Sequence, residues 1–252
     1  MSNKSPLEVK KTHHALSLGA GVNSTALLIL VTKDKLPLNE VVFADTGVEH
    51  LETYSYIERW IKPFCAERGI PLTTVSAVDR PNLEDFCHLK HCTPSRLHRW
   101  CTEKWKIIPI YRHLPRPCTI YMGICWDEVH RMGRPHVKGG AQVTVEYPLI
   151  DQKIGRAGCE KIIIDHGLPI PIKSGCFFCP FTSLAGWRDL WQKHPEMYDR
   201  AIAVERLDKS YPKYPLTGNG IPLERLRNRW GYGDKKIEDY FVEPCDSGFC
   251  MV

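Results

Sequence analysis

Short apolar runs and longer amphipathic stretches alternate along the first two thirds of the chain. Runs of four to seven residues bounded by turn residues predict buried strands, and these lie at 15–18, 40–44, 72–78, 119–124 and 142–147. Stretches with a helical apolar period predict helices, and these lie at 24–33, 49–68, 105–113 and 154–166. Because strands that alternate with helices form a parallel sheet covered on both faces, we predict an α/β fold. The expected architecture is Rossmann-like and doubly wound, with a mostly parallel five-stranded sheet.

The pattern changes in the last third of the chain. A CxxC pair at 176–179 is followed by helical stretches at 184–193 and 195–206, and then by a passage rich in Pro, Gly and Asn at 211–221. This region is expected to cover the ligand edge of the sheet. We therefore divide the chain into a polar leader at 1–12, an α/β domain at 13–172 and a helical C-terminal region with a cysteine-containing tail at 173–252.

Composition limits the class of protein. With 252 residues and 43% hydrophobic composition, the chain can bury a core as one domain or as a domain with an appendage. Its longest uninterrupted apolar run, Ala26 to Val31, is far shorter than the roughly 20 residues that cross a bilayer. The first twelve residues are polar and lack an apolar signal segment. We therefore expect a cytoplasmic protein that does not bind membranes.

Positive charge is concentrated in one stretch of the sequence. The net charge is +5, but residues 88–116 hold seven Lys or Arg against one acid, a local charge of +6. Such a stretch favours an anionic partner, which is a nucleotide phosphate, a sulfate or a nucleic-acid backbone. A solvated basic face is the alternative. The cations are Lys90, Arg96, Arg99, Lys104, Lys106, Arg112 and Arg116.

A glycine-containing loop joins the first predicted strand to the first predicted helix. Backbone N–H groups of such a loop and the helix N-terminus can face an anion, and glycine allows its close approach. Asn23 and Ser24 are good N-cap residues. Their side chains either cap the helix or contact phosphate oxygens. The spacing fits neither G-x-G-x-x-G nor a Gly-Lys-Ser/Thr loop. The residues expected to bind the anion are Ser17, Gly19, Ala20, Gly21, Asn23, Ser24 and Thr25.

Several motifs now resemble a known family. Residues 19–24 resemble the PP-loop of the ATP-pyrophosphatase, or adenine nucleotide alpha-hydrolase-like, superfamily, and 43–54 resemble the second motif of its phosphoadenylyl-sulfate (PAPS) reductase branch. The likeness continues in family order through 99–102, 146–149 and 176–196. It implies an adenine nucleotide ligand, either ATP or an adenylyl sulfate, with magnesium as a candidate cation. It also implies that Asp45, Thr46 and Glu49 lie beside the PP-loop, at the sheet edge where α/β proteins bind ligands.

Three residues depart from the family pattern. Gly19 stands where the family's PP-loop has its first serine, and Asn23 stands where it has an acidic residue. The loop therefore lacks one hydroxyl and one negative charge but keeps the geometry that binds an anion. Cys125 stands where an arginine is common. Positive charge for the substrate then falls to Arg131, Arg134 and the basic stretch.

Eleven cysteines in a long chain indicate metal binding or redox chemistry rather than a disulfide scaffold. Cys65, Cys118 and Cys159 stand singly in patterned segments and read as buried apolar residues. Two thiolates on the CxxC turn suit a soft metal or an iron–sulfur cluster. Zinc is the competing assignment, because Cys87, His88 and His91 offer further donors nearby, and no metal is a third. For a 4Fe–4S cluster, which many relatives carry, the expected ligands are Cys92, Cys101, Cys176 and Cys179.

The resemblance implies reduction of an adenylyl sulfate to sulfite, with a thioredoxin-like electron donor. A tail thiolate, Cys245 or Cys250, would attack sulfur, and Lys104, Lys106 and Arg131 would bind the sulfate. Three other roles stay open for Cys245 and Cys250. They could form a resolving disulfide pair, supply a further cluster ligand or have no role.

Two other functions stay open. One is an ATP-dependent, Fe–S-containing sulfurtransferase that thiolates a nucleic-acid base, with residues 88–116 as the nucleic-acid track and Trp100 and Trp105 for stacking. The other is a non-catalytic nucleotide-binding subunit. A homodimer is compatible with each of these functions.

Overall fold

The computed structural model describes residues 11–132, 142–209 and 211–231. Its sheet has five strands in the order β3-β2-β1-β4-β5, and all four pairings are parallel. This confirms the predicted fold class. The strand order reverses between β1 and β4, which is where open α/β sheets bind ligands. The strands are β1 (His13–Leu18), β2 (Glu40–Ala44), β3 (Leu72–Val75), β4 (Cys118–Met122) and β5 (Val143–Glu146).

Helices cover both faces of the sheet and build the C-terminal region. Two long helical segments each contain a π-helical turn, at Ile57–Ile61 and Glu103–Ile107, and a 3₁₀ turn spans Trp126–Arg131. The α-helices are α1 (Val22–Lys33), α2 (Leu51–Tyr56), α3 (Lys62–Glu67), α4 (Leu83–Lys90), α5 (Trp100–Thr102), α6 (Ile108–His113), α7 (Pro148–Asp151), α8 (Arg156–Asp165), α9 (Leu184–Lys193), α10 (Pro195–Glu205) and α11 (Leu223–Gly231).

The buried residues of the central strands are mostly apolar, as at 41–44 of β2, because both faces of these strands are covered. Every residue of β2 is buried. The third strand ends at Val75 and not at Val78, because its partner β2 ends opposite it at Ala44. Val78 lies beyond the ladder and is 88% exposed.

Two apolar clusters lie on opposite faces of the sheet. The larger contains α1 and α8 packed on β1 and β2, with Leu16, Leu27 and Phe43 among its buried members. The smaller packs Ile110 and Leu114 against Val42 on the other face. The sheet is therefore a rigid support for residues at its carboxyl edge.

A third cluster joins the C-terminal helices to residues from the α/β part. Trp187 and Tyr198 of α9 and α10 share it with Leu83 of α4 and with Trp105. Arg200 of α10 is ion-paired with Glu84 of α4. The C-terminal helices are thus fastened next to the carboxyl edge of the sheet. Within the described residues, no helix is long and apolar enough to cross a membrane.

Candidate functional site at the carboxyl edge of the sheet

The loop after β1 turns sharply into α1. Ala20 has a φ of +54°, in the left-handed region that residues with a Cβ rarely adopt. The helix begins at Val22 with Gly21 as N-cap, two residues earlier than predicted, so Asn23 and Ser24 lie in its first turn. Ser24 Oγ accepts from Gly19 N at 3.2 Å and donates to Gly21 O at 3.2 Å. The serine therefore fastens the loop around the helix N-terminus.

Two glycines let other segments approach this loop closely. A Cβ on Gly123, just after β4, would lie 2.8 Å from Ser24 Cα, and one on Gly21 would lie 2.7 Å from Ser174 Oγ. Neither site has room for a side chain without a shift of its neighbours. The PP-loop is thus enclosed by β4 on one side and the segment before the CxxC turn on the other.

The neutral PP-loop residue Asn23 is hydrogen-bonded to Glu128, an acid of the 3₁₀ turn after β4. Its Nδ2 donates to Glu128 Oε2 at 3.0 Å, and Arg131 Nη1 donates to the same oxygen at 2.7 Å. Cys125 Sγ also donates to this carboxylate, at 3.7 Å, and burial raises the pKa of that thiol to about 11. Arg131, a predicted anion-binding residue, therefore carries a neutralising acid at its guanidinium.

An apolar pocket opens at the ends of β1, β2 and β4. Ser17 and Gly19 form its loop side, and Ile110, Tyr111 and Met122 contribute apolar wall. Such a pocket beside a helix N-terminus has the chemistry of a nucleotide site, with a flat base against apolar side chains and phosphates on the loop. Lys106 also lines it.

The segment after β2 uses its acids in two ways. Asp45 Oδ1 accepts from Gly47 N at 2.8 Å and from Tyr54 Oη at 2.7 Å, so it shapes the turn. Glu49 is fully buried, accepts from Thr46 Oγ1 at 2.9 Å and is ion-paired with Lys106 Nζ at 3.0 Å. The two acids are therefore not equivalent, since Asp45 is occupied by the turn while Glu49 holds the lysine.

The CxxC turn is attached directly to this segment. Gly175 O accepts from His50 N at 3.1 Å, Phe177 N donates to Val48 O at 3.0 Å, and Glu49 and Cys176 form an isolated antiparallel bridge. Thr46 Oγ1 lies 3.5 Å from Cys176 Sγ. Burial, followed by the charge of Glu49, raises the pKa of the Cys176 thiol well above its ordinary value, and Lys106 opposes that rise.

Three of the four predicted ligand cysteines line one cavity. Cys101, Cys176 and Cys179 are joined there by Lys106 and Arg99; we call this space the thiol cavity. Cys92 is not among its lining residues and lies instead beside Cys87. Lys106 lines both the thiol cavity and the apolar pocket, so the two spaces meet at its side chain.

The positions of the Cys and His donors help to distinguish a site for a single metal ion from a site for an iron–sulfur cluster. In the described ranges, no three His, Cys, Asp or Glu residues are arranged to hold a single metal ion. Cys87, His88, His91 and Cys92 are therefore not grouped around one position among the described residues. In a four-iron cluster each cysteine binds a different iron, so its ligands are farther apart than those of one ion. Cys101, Cys176 and Cys179 bring thiols, the donors that iron–sulfur clusters take, to the lining of one cavity.

Several cations of the basic stretch contact other segments of the fold, although Arg96 is itself exposed. Arg96 Nε donates to Pro180 O at 2.8 Å, and the Arg96 and Arg99 guanidiniums lie 5.5 and 5.6 Å from the centre of the Phe181 ring. Lys106 binds Glu49. The stretch is therefore neither a continuous solvated face nor a continuous nucleic-acid track.

Three further cations of this stretch each contact a different kind of partner. Arg112 pairs with Asp79 at 3.5 Å, Arg116 donates to Tyr111 O at 2.8 Å, and Lys104 lies 6.0 Å from the centre of the Phe86 ring. Trp105 is 1% exposed, with its indole N–H donating to Pro81 O. The expectation that it stacks on a base is wrong, because the third apolar cluster encloses it.

A second cavity lies on the other side of the CxxC turn. Cys176 and Cys179 line it as well, together with His50, Glu52 and His194. His194 Nε2 lies 2.7 Å from Glu52 Oε1, and burial lowers the pKa of His50. This cavity was not anticipated, although the sequence His194-Pro195-Glu196 was a signal for it. It gives a second ligand access to the same thiols.

Two predicted groups of residues cannot be placed. Cys245 and Cys250 of the tail lie outside the described residues, as does Arg134. Their roles stay predictions.

Known proteins can now be compared with this geometry. Residues 13–131 match the family model of the phosphoadenosine phosphosulfate reductase domain. These residues belong to the PAPS reductase family. The match spans the PP-loop, the Asp45 motif, Cys101 and Lys106, and it ends at Arg131. The thiol cavity is completed by the CxxC turn, which lies beyond the matched residues.

Two solved structures are similar in fold. A PAPS reductase from Candida auris, in a phosphate complex, is 14% identical with a TM-score of 0.46, over 65% of this chain and 77% of its own. The U34-tRNA thiolase NcsA from Methanococcus maripaludis, with its [4Fe-4S] cluster, is 19% identical with a TM-score of 0.47, over 86% of this chain and 80% of its own. No curated protein sequence matches the chain.

Proposed function

We propose that this PAPS reductase-family chain reduces an adenylyl sulfate to sulfite. The observation that carries the proposal is that Lys106 borders both the apolar pocket and the thiol cavity. A nucleotide with its adenine in the pocket and its phosphate on the PP-loop would direct its sulfo group at this lysine. Lys106 and Arg99 would then stabilise the negative oxygens beside the thiols.

The chemistry needs one nucleophilic thiolate and one further thiol. The thiolate attacks the sulfur of the sulfo group, an S–S bond forms, and the S–O bond breaks with its electron pair leaving on the nucleotide phosphate. A second thiolate attacks the cysteine sulfur and releases sulfite, which leaves a disulfide. A thioredoxin-like dithiol would return the two electrons. Cys245 and Cys250 are the nucleophiles predicted from the sequence.

The cysteines of the thiol cavity have a separate proposed task. Cys101, Cys176 and Cys179 would hold an iron–sulfur cluster, and Cys92 is the fourth ligand predicted from the sequence. When bound, the cluster would supply Lewis-acidic iron beside the sulfo group. Thr46 and Glu49 position Cys176 and Lys106 for this arrangement through their side-chain contacts.

The second cavity favours an alternative reaction of the same site. If ATP occupied the apolar pocket, an oxygen of a small acceptor in the second cavity could attack its α-phosphate and release pyrophosphate, and sulfide from an external sulfur donor could then displace AMP from the acceptor. The ion pair of Lys106 with Glu49 and the contact of Arg99 with the Phe181 ring count against a nucleic-acid acceptor at these two cations. Neutral His50 and the His194–Glu52 pair suit a polar small molecule.

Both reactions can be tested on protein purified without oxygen. Iron, sulfide and zinc are measured first, and the protein is then given adenylyl sulfates with a reducing dithiol, or ATP with a sulfur donor. Sulfite release from an adenylyl sulfate is the expected result. Pyrophosphate and AMP formation without sulfite would overturn the reductase proposal, and zinc without iron would overturn the cluster assignment.

The Lys106→Met variant tests the observation on which the proposal depends. Loss of one cation at the reacting group is expected to lower kcat/KM for sulfite release by about 100-fold. Lys62→Met is the matched control, because Lys62 is half-exposed on α3 and pairs with its helical neighbour Glu58. Equal activity of the two variants would remove Lys106 from the mechanism.

A further inference from the structure

The second cavity contains a buried carboxylate oxygen that the described residues do not satisfy. Glu52 lies in the first turn of α2 and lines this cavity. Its Oε1 is 2.7 Å from His194 Nε2, whereas its Oε2 is buried and has no hydrogen-bond partner among the described residues. A buried acceptor without a donor costs free energy, and such atoms are normally paired in folded proteins. The oxygen therefore indicates a donor that enters the cavity from outside.

The position of Glu52 is fixed by contacts on both sides of the cavity. His50 N, two residues earlier, donates to Gly175 O at 3.1 Å, beside the CxxC turn. His194 lies where α9 ends and α10 begins, and its Nδ1 is 3.9 Å from Glu196 Oε1. To turn towards solvent, Glu52 would have to give up its contact with His194. The unpaired oxygen is therefore held in place before any ligand binds.

Two other charged side chains of the cavity already have partners. Lys173 Nζ donates to Phe181 O at 3.1 Å. Asp189 is ion-paired with Lys193 at 2.8 Å, and both of these side chains are more than half exposed. Because these charges are used within the protein, the buried oxygen of Glu52 is the acceptor that a ligand would meet.

The surroundings of this oxygen select the kind of donor. In the part of the chain that the structure describes, no three His, Cys, Asp or Glu residues are arranged to hold a single metal ion. The cavity has a volume of about 140 Å³, below the range of about 300–1,000 Å³ for drug-sized ligands, so a nucleotide does not fit. An ammonium group is small, offers three N–H donors and complements the carboxylate charge.

We propose that the second cavity binds a small organic molecule through a primary ammonium group, which donates to Glu52 Oε2. Cys176 and Cys179 line the same cavity, so the ligand lies beside the thiols. In the alternative reaction given above, this ligand is the acceptor, and that role rests on the alternative reaction. Binding itself depends on neither reaction.

The wild-type protein provides the first test. Calorimetry on anaerobically purified protein, without nucleotide or sulfur donor, compares methylammonium, ethanolamine and L-serine with methanol, ethylene glycol and glycerate, in which a hydroxyl replaces the ammonium. At least one amine should bind saturably to one site, and its alcohol should bind about tenfold more weakly or less. Binding of none of the amines, equal binding of amine and alcohol, or competitive displacement of the amine by magnesium would overturn the proposal.

A variant locates the binding site. Glu52→Gln keeps the size of the side chain and an acceptor for His194 but removes the charge, so affinity for the amine should fall by about tenfold or more. Glu58→Gln is the matched control, because Glu58 is exposed and pairs with Lys62. Unchanged affinity in Glu52→Gln would overturn the proposal, and the comparison of amine with alcohol remains decisive if this variant does not fold. Iron and sulfite release are measured on the same wild-type sample, and their absence with amine binding retained would refute the proposed function alone.

Discussion

At the scale of single residues, the turn after β2 requires a glycine at position 47. Its φ is +77°, and a Cβ there would lie 2.7 Å from Asn82 Cβ. Asn82 is itself fixed, because its side chain accepts from Asp85 N at the start of α4. The turn that holds Thr46 and Glu49 beside the thiol cavity therefore depends on the left-handed backbone of Gly47 and on its lack of a side chain.

Gly47→Ala is expected to destabilise the protein by about 2–4 kcal/mol, from a strained left-handed alanine and a collision with Asn82. Gly69→Ala is the matched control. Its φ is +63° but nothing lies within 4 Å of an added Cβ, so only the backbone strain of about 1 kcal/mol remains. Urea unfolding at equilibrium measures both. Equal losses in the two variants would show that the contact with Asn82 has no cost.

Single residues also show where the sequence was insufficient. The charges of Arg96 and Arg99 were evident, but their partners Pro180 and Phe181 lie more than eighty positions away. Trp105 follows charged residues and still belongs to the third cluster. Local composition specifies which groups a side chain offers, whereas its partner depends on packing of distant segments. Cys176, Cys179 and Cys101 were predictable as a set because each lies in a motif.

At the scale of elements, the five strands were predictable because each is a short segment rich in apolar and β-branched residues between turn residues. The helices α4, α7 and α11 lie outside every predicted helical stretch. α4 lies at the start of the basic stretch, where charges at 84, 85 and 90 conceal the apolar positions Leu83 and Cys87. α11 follows a passage rich in Pro and Gly, and it is held by tertiary contacts of Leu223 and Leu226.

The connection before α11 depends on a buried carboxylate at the end of α10. Glu205 is 1% exposed and accepts from Leu216 N at 2.9 Å and from Leu223 N at 3.0 Å. Burial raises its pKa from 4.5 to about 7, although both hydrogen bonds oppose the rise. The stability of the connection between α10 and α11 is therefore expected to depend on the protonation of Glu205.

The folded protein binds this proton more tightly than the unfolded chain, so Glu205 favours folding most below pH 4.5, and this contribution is lost as pH rises to about 7. The loss is of the order of 3 kcal/mol. Glu205→Gln should flatten the decline of the free energy of unfolding between these pH values. Glu67→Gln, at an exposed carboxylate of α3, should leave the slope unchanged. An identical slope in wild type and Glu205→Gln would assign the pH dependence to other groups.

At the scale of the whole molecule, the sheet edge, the PP-loop and the CxxC turn form one connected unit. Gly21 is packed against Ser174, Gly123 against Ser24, and Glu49 against Cys176. A nucleotide on the loop would therefore stabilise the segments that hold the thiols as well as its own pocket. This coupling explains why the family motifs, dispersed along the sequence, meet at one edge.

Nucleotide binding should therefore raise the stability of the entire fold, and Gly123→Ala should remove that effect. A ligand present at 100 times its Kd stabilises the folded state by about 2.7 kcal/mol. The added Cβ, 2.8 Å from Ser24 Cα, forces backbone to move at the N-terminus of α1, where phosphate would bind. Gly231→Ala is the control, because no described residue lies within 4 Å of a Cβ added there. Thermal unfolding with and without adenylyl sulfate or ATP measures the shift. A wild-type shift that Gly123→Ala retains in full would show that the ligand binds away from the PP-loop.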